Sequence, residues 1–309
     1  MKKIVPLFLV LIIFTLAGCK AEENKKKIAE DGILDVYTTV YPLQYFTEEI
    51  GKEFVKVQTI YPPGSDEHTF EPSQKDMMKL ADSDLFIYVG LGLEGFVDKA
   101  KQTLKNEEVV LLPAGENIKH LEEHKAPDDD GHHHGDIDPH VWIDPVYAKE
   151  LAEAIKNELS KQLPTHKEEF EKNYEQLASD LDDLNTRFEA LVKNAKHKEI
   201  IVSHAAYGYW EKSYGIKQLS ISGLSSSSEP TQRELKQIIK TAQENDLNYV
   251  FLEQNVSTKL AEVVRKEIKA EPLYLHNLSV LTDADIKDKR TYFSIMNDNL
   301  KALETALAK

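Results

Sequence analysis

Phe170, Tyr174, Leu177, Leu181, Leu184, Phe188 and Leu191 recur at spacings of 4, 3, 4, 3, 4 and 3, and no Gly or Pro interrupts residues 165–194. An apolar face repeats every 3.6 residues along an α-helix, so this run specifies one long amphipathic helix. At 1.5 Å per residue it would span roughly 45 Å. Pro164 stands just before the first turn, and Thr165 with Glu168 makes a capping-box pattern. Three heptads could form a dimer seam, but flanked by compact segments on either side they fit better as one stiff strut packed along two lobes.

The flanking segments read as those lobes. Apolar strands at 33–40, 54–60, 85–89 and 109–112 alternate with helical segments before the strut, and strands at 199–203, 217–221, 249–253 and 272–276 do so after it. Such alternation implies mostly parallel sheets covered by helices on both faces. Thr231 with Glu234 forms a second capping-box pattern, Ser257 can cap a segment running to 269, and a helix at 292–308 closes the chain. The expected fold is therefore α/β, two doubly wound lobes joined by one long rigid α-helix. The boundaries are an N-terminal lobe at 33–163, a connecting helix at 164–195 and a C-terminal lobe at 196–309.

Composition excludes several functions. Against 38 Lys and Arg stand 53 Asp and Glu, a formal charge of −15 over 309 residues, whereas phosphate binding needs clustered cations that release counterions. No nucleic-acid partner is expected. A single cysteine rules out a disulfide framework, a CxxC redox pair and a thiolate-rich zinc finger. No GxxxxGK[ST] phosphate loop occurs, so ATP hydrolysis would have to belong to another chain. The serine run 225–228 has no Gly-x-Ser-x-Gly nucleophile context and reads as a flexible loop between the lobes.

The first residues are a processing segment. Lys2 and Lys3 precede an uncharged run at 4–18, the length of a signal h-region and short of the ~20 residues of a membrane-spanning helix. Residues 1–18 are read as a signal peptide ending at Leu16-Ala17-Gly18-Cys19, which resembles a bacterial lipobox. Cys19 would then carry the acyl chains that anchor the protein in the lipid membrane, with 19–32 as a charged tether.

Eleven histidines occur in contrasting contexts. His166 and His197 flank the charged strut and read as solvated. His68 lies in the loop that leaves the second strand, His204 follows the fifth strand directly, and His140 stands just before a helix that Asp144 can cap with Pro145 at its first position. Ligands of open α/β sheets bind beyond the carboxyl ends of the strands, which is where His68 and His204 are placed, one from each lobe. Taken singly, each ring could equally be a hydrogen-bonded structural residue at a strand end. Converging in a cleft, three imidazoles would suit zinc, with Asp66, Glu67, Asp138 and Asp144 as carboxylate partners for their free N–H groups.

These elements together carry a resemblance. The lipobox, the motif Pro62-Pro63-Gly64-Ser65-Asp66-Glu67-His68-x-Phe70-Glu71-Pro72, the motif Asp138-Pro139-His140-Val141-Trp142-x-Asp144-Pro145, a long connecting helix and Ser203-His204-x-Ala206-Tyr207 occur in order over nearly the whole mature chain. The set is similar to the metal-binding lipoproteins of bacterial ABC importers, and within them to the zinc-uptake and adhesion-competence branch. The resemblance implies one Zn2+ held between the lobes by His68, His140 and His204. It implies delivery to the membrane permease and ATPase subunits of an ABC importer, by a monomer lipid-anchored at the extracytoplasmic face of the cell membrane. Members with four protein ligands often place an acid where Ser279 stands here. The fourth place then falls to water or Glu67, with His276 a weaker substitute.

A second feature is the segment 120–135, in which His120, His124, His132, His133 and His134 are interspersed with five acids. It has no apolar periodicity and reads as a loop, either a solvated insertion or an auxiliary zinc collector. Other functions stay in view: a manganese-binding importer lipoprotein, a metal-dependent adhesin, and a zinc hydrolase, since three His plus water also serve catalytic zinc. The chain lacks HExxH, and the expectation is that it is not an enzyme.

Overall fold

In a computed structural model, residues 32–119, 121, 137–254 and 259–308 are described. The N-terminal lobe runs β1 (Leu34–Thr38), α1 (Tyr41–Gly51), β2 (Val55–Thr59), α2 (Gln74–Asp82), β3 (Leu85–Tyr88), α3 (Val97–Thr103), β4 (Val110–Pro113) and α4 (Pro145–Gln162). The helix α5 (Lys167–Asn194) follows. The C-terminal lobe runs β5 (Glu199–His204), α6 (Gly208–Tyr214), β6 (Lys217–Ser222), α7 (Gln232–Glu244), β7 (Tyr249–Leu252), α8 (Lys259–Ile268), β8 (Glu271–Tyr274), α9 (Asp283–Lys287) and α10 (Tyr292–Leu307).

Each lobe holds a four-stranded sheet, ordered β2-β1-β3-β4 in the first and β6-β5-β7-β8 in the second, with every pairing parallel. Strand order therefore reverses direction between β1 and β3, and again between β5 and β7, the crevices where such sheets take ligands. Parallel strands are covered on both faces, and β5 shows how. Ile200 and Val202 join a core that runs through α5 into the N-terminal lobe, whereas Ile201, with Val250 and Leu252, packs beneath Ile238 of α7 and Val264 of α8.

The long helix is the strut that its periodicity specifies. Phe170, Leu177, Leu181, Leu184 and Phe188 are buried along it, each contributing about 1.5–3 kcal/mol of apolar transfer. Asn173 donates to the Ile50 carbonyl of the first lobe at 3.0 Å, while Phe188 stacks on Tyr214 of the second at 4.9 Å between ring centres. Its start differs from the expectation. Pro164–His166 form a 3-10 turn, Thr165 is exposed, and His166 precedes Lys167 with no side-chain cap. In place of a cap, the His166 ring stacks on Phe54 at 3.8 Å. His166 and His197 are thus not simply solvated; His197 Nε2 lies 3.0 Å from the Ala306 carbonyl.

Elsewhere the expected caps form. Thr231 and Glu234 exchange both bonds of a capping box, Ser73 and Asp76 do the same for α2, and Asp144 accepts from the Val146 amide at 2.8 Å. Cys19, Ser257 and His120, His124, His132, His133 and His134 lie outside the described residues. Among the described residues no helix is long and apolar enough to cross a membrane.

Candidate metal centre

The loop after β2 is shaped by one carboxylate. Asp66 Oδ1 accepts from the amides of His68 at 2.9 Å and Thr69 at 3.1 Å, a tight turn that presents the His68 side chain. Gly64 turns the chain at a φ of 72°, in the left-handed region, and its amide donates to Leu281 of the second lobe. Asp66 also accepts from Ser226 Oγ through its other oxygen. The serine run is therefore tied across to the first lobe, instead of hanging as a flexible connection.

His140 is held by its neighbours on both sides. Asp138 Oδ1 accepts from the His140 amide at 3.0 Å and from its Nδ1 at 2.8 Å. That bond puts the ring proton on Nδ1 and leaves Nε2 as a bare lone pair. The surrounding loop is fastened to the second lobe: Tyr209 donates to the Asp138 carbonyl at 2.5 Å, Trp210 to Ile143 at 3.1 Å, and Trp142 to the Asn277 carbonyl at 2.6 Å.

His204 ends β5 at the switch point of the second sheet. Its Nδ1 donates to Glu253 Oε1 at 2.8 Å, and its Nε2 is buried with no hydrogen-bond partner. An orphaned buried nitrogen is costly unless something else approaches it. The matching switch point of the first sheet is filled instead. There Glu94 accepts from Thr39 Oγ1 and the Val89 amide at 2.8 Å and from Gly90 at 3.0 Å, and burial pushes its carboxyl up to about 7.

The three imidazoles meet. Ring centres are separated by 5.2 Å for His68 and His140, 5.3 Å for His140 and His204, and 5.9 Å for His68 and His204. With Glu67 they offer one donor atom each, all within 4.8 Å of one another. His140 and His204 are fully buried and Glu67 nearly so. Tetrahedral donors at 2.0–2.1 Å from one ion lie about 3.3 Å apart, a spacing that the Nε2 atoms of His68 and His140 already have at 3.3 Å. The donor set is three imidazole nitrogens and one carboxylate, which suits a borderline-soft divalent ion.

Burial and neighbouring charges act differently on each donor of the pocket. Burial pushes the Glu67 carboxyl up, opposed by the nearby His204 and His140. Burial, then His140 and His204, push His68 down to about 3, so this ring is neutral. Burial would lower His204 as well, but the charge and hydrogen bond of Glu253 outweigh it and raise the ring above its ordinary value.

Several expected roles fall elsewhere. Asp144 caps α4 and does not meet an imidazole. His276 accepts from the Leu278 amide at 2.9 Å and faces Asp285 at 3.3 Å, outside the donor group. Ser279 donates to Asn277. Two residues escaped the reading of the chain: Glu253, the partner of His204, and Asn277, whose amide donates to Glu67 Oε1 at 3.1 Å. Glu253 had one available signal, its place at the carboxyl end of the strand read at 249–253, one residue past the observed β7.

Two parallel α/β lobes fixed to one long helix, with imidazoles of both lobes in the seam, define a helix-bridged, two-lobed binding protein. The family model described as ZnuA, zinc-uptake complex component A periplasmic, matches residues 36–306, and the chain belongs to that family. It is 36% identical over 313 residues to the zinc-binding lipoprotein AdcA of Streptococcus pneumoniae, covering 98% of this chain and 61% of that protein. The chain thus spans about three fifths of that relative. It is 34% identical to the high-affinity zinc uptake system protein ZnuA of Bacillus subtilis, covering 99% of this chain and 98% of that one. The crystal structure of the Zn(II)-bound ZnuA-like domain of Streptococcus pneumoniae AdcA superposes with a TM-score of 0.76 at 33% identity, over 90% of this chain and 100% of that domain.

Proposed function

We propose that the protein is an extracytoplasmic receptor that captures Zn2+ between its lobes and delivers it to the permease and ATPase subunits of an ABC importer. His68, His140 and His204 are the ligands, and Glu67 takes the fourth place. The observation that carries this reading is the convergence of three imidazoles from both lobes on one buried carboxylate, all four donors within 4.8 Å. Relatives named for zinc binding and high-affinity zinc uptake support zinc as the cargo. So does the nitrogen-rich donor set, since manganese prefers oxygen. Binding and release across a seam need no chemical step, and the receptor is read as a monomer without catalytic activity.

Delivery at a membrane agrees with an anchor at Cys19 and a short charged tether, with the lipid at the extracytoplasmic face. Metal analysis of the purified mature protein, followed by competition between zinc and manganese, tests the cargo. One equivalent of zinc retained against excess manganese is expected. Preferential retention of manganese would overturn the assignment.

A further inference from the structure

The buried carboxylate of Glu253 has no part in the donor group, yet it is built into the site. β5 and β7 pair in parallel with Ile201 opposite Val250 and Val202 opposite Phe251. Carried on, this register sets His204 beside Glu253 and Ser203 beside Leu252. Residues paired across parallel strands project to the same face, so the carboxylate lies on the His204 side of the sheet. A single oxygen, Oε1, takes both local donors, Ser203 Oγ at 2.7 Å and His204 Nδ1 at 2.8 Å. Its other oxygen is buried and unpartnered, as is the hydroxyl of Tyr207. Glu253 is 3% exposed and its only ion-pair partner among the described residues is His204.

We infer that Glu253 is the positioning residue that sets how long the ion is retained. This rests on the zinc-receptor reading above. The bond to Nδ1 fixes the tautomer and the ring plane of His204 and leaves its orphaned Nε2 as the nitrogen it offers to the donor group. The charge acts as well. Asp138 on His140 and Glu253 on His204 each stand behind one imidazole at 2.8 Å. Together they place two negative charges against a dication in a seam that water does not screen. Asp138 is joined to its histidine within one loop, whereas Glu253 is joined to His204 only through the sheet.

The test compares Glu253→Gln, which keeps the shape and an acceptor oxygen, with Glu253→Asp, which keeps the charge but withdraws it by one methylene. Zinc affinity and dissociation rate are measured by chelator competition, metal-free melting by calorimetry, and site geometry by the visible spectrum of the Co(II)-loaded protein. Glu253→Gln is expected to bind zinc about 10- to 100-fold more weakly, with faster release and an altered cobalt spectrum. Glu253→Asp is expected to recover part of the loss. Wild-type zinc affinity and an unchanged cobalt spectrum in Glu253→Gln would overturn the proposal, whatever its melting temperature. If Glu253→Gln does not fold, wild-type release kinetics in Glu253→Asp would overturn it. Failure of the wild-type protein itself to bind zinc would count against the receptor reading.

Discussion

His68 and His140 stand 72 residues apart in the chain, yet their Nε2 atoms lie 3.3 Å from one another. The His140 proton is committed to Asp138 on the far side of its ring. Its Nε2 therefore meets His68 as a lone pair, and either a proton or a shared cation must lie between the two nitrogens. A divalent ion bound by both rings would take the place of that proton.

Zinc affinity falls on mild acidification, with His204 as the main competitor for protons. This ring titrates above its ordinary value of about 6.5, whereas His68, pushed down to about 3, keeps its lone pair. In the metal-free protein the sign is opposite. A raised folded value means that the His204 pair with Glu253 stabilises the fold fully below the unfolded value and loses that contribution as pH rises through the folded one. The increase in Tm caused by zinc should therefore grow as pH rises above the ordinary imidazole value of about 6.5. Calorimetry with and without zinc checks this, and a constant increment would contradict it.

Glu67→Gln should weaken zinc binding by about 10-fold, less than removal of an imidazole, because an amide oxygen still faces the ion while the charge is lost. Isothermal titration is the check. Unchanged affinity would assign the fourth place to water.

Leu181→Ala, at a fully buried position midway along α5, should cost about 2–5 kcal/mol in denaturant unfolding. Stoichiometry should stay at one zinc, since no donor sits on the helix. A loss of binding at unchanged stability would mean that the strut acts on the site directly.

The architecture was readable because its signals are local. All eight strands fall within the apolar runs or overlap them, Thr231 caps α7 as its spacing to Glu234 implies, and α5 follows the periodicity from Phe170 to Leu191. Failures mark where tertiary contacts decide. The Thr165 capping pattern is overridden by Phe54, far upstream, stacking on His166. Glu253 could not be paired with His204 without the register of β5 on β7, and no local pattern carries that register. His276 looked like a spare donor, but the turn to Leu278 and the Asp285 carboxylate claim both of its nitrogens.

Deletion of residues 120–135 should leave affinity at the central site intact and slow growth only when zinc is chelated from the medium. His-rich tracts take up metal through their composition. Equal growth of the deletion strain under chelation would remove the segment from zinc capture.

The most direct measurement is zinc titration of His68→Ala, His140→Ala and His204→Ala beside His134→Ala. Each of the first three should lose more than about 100-fold in affinity, beyond the range for loss of an outer partner, while His134→Ala stays at the wild-type value. Equal losses in all four, or none in the first three, would show that the ion is held somewhere other than the seam between the lobes.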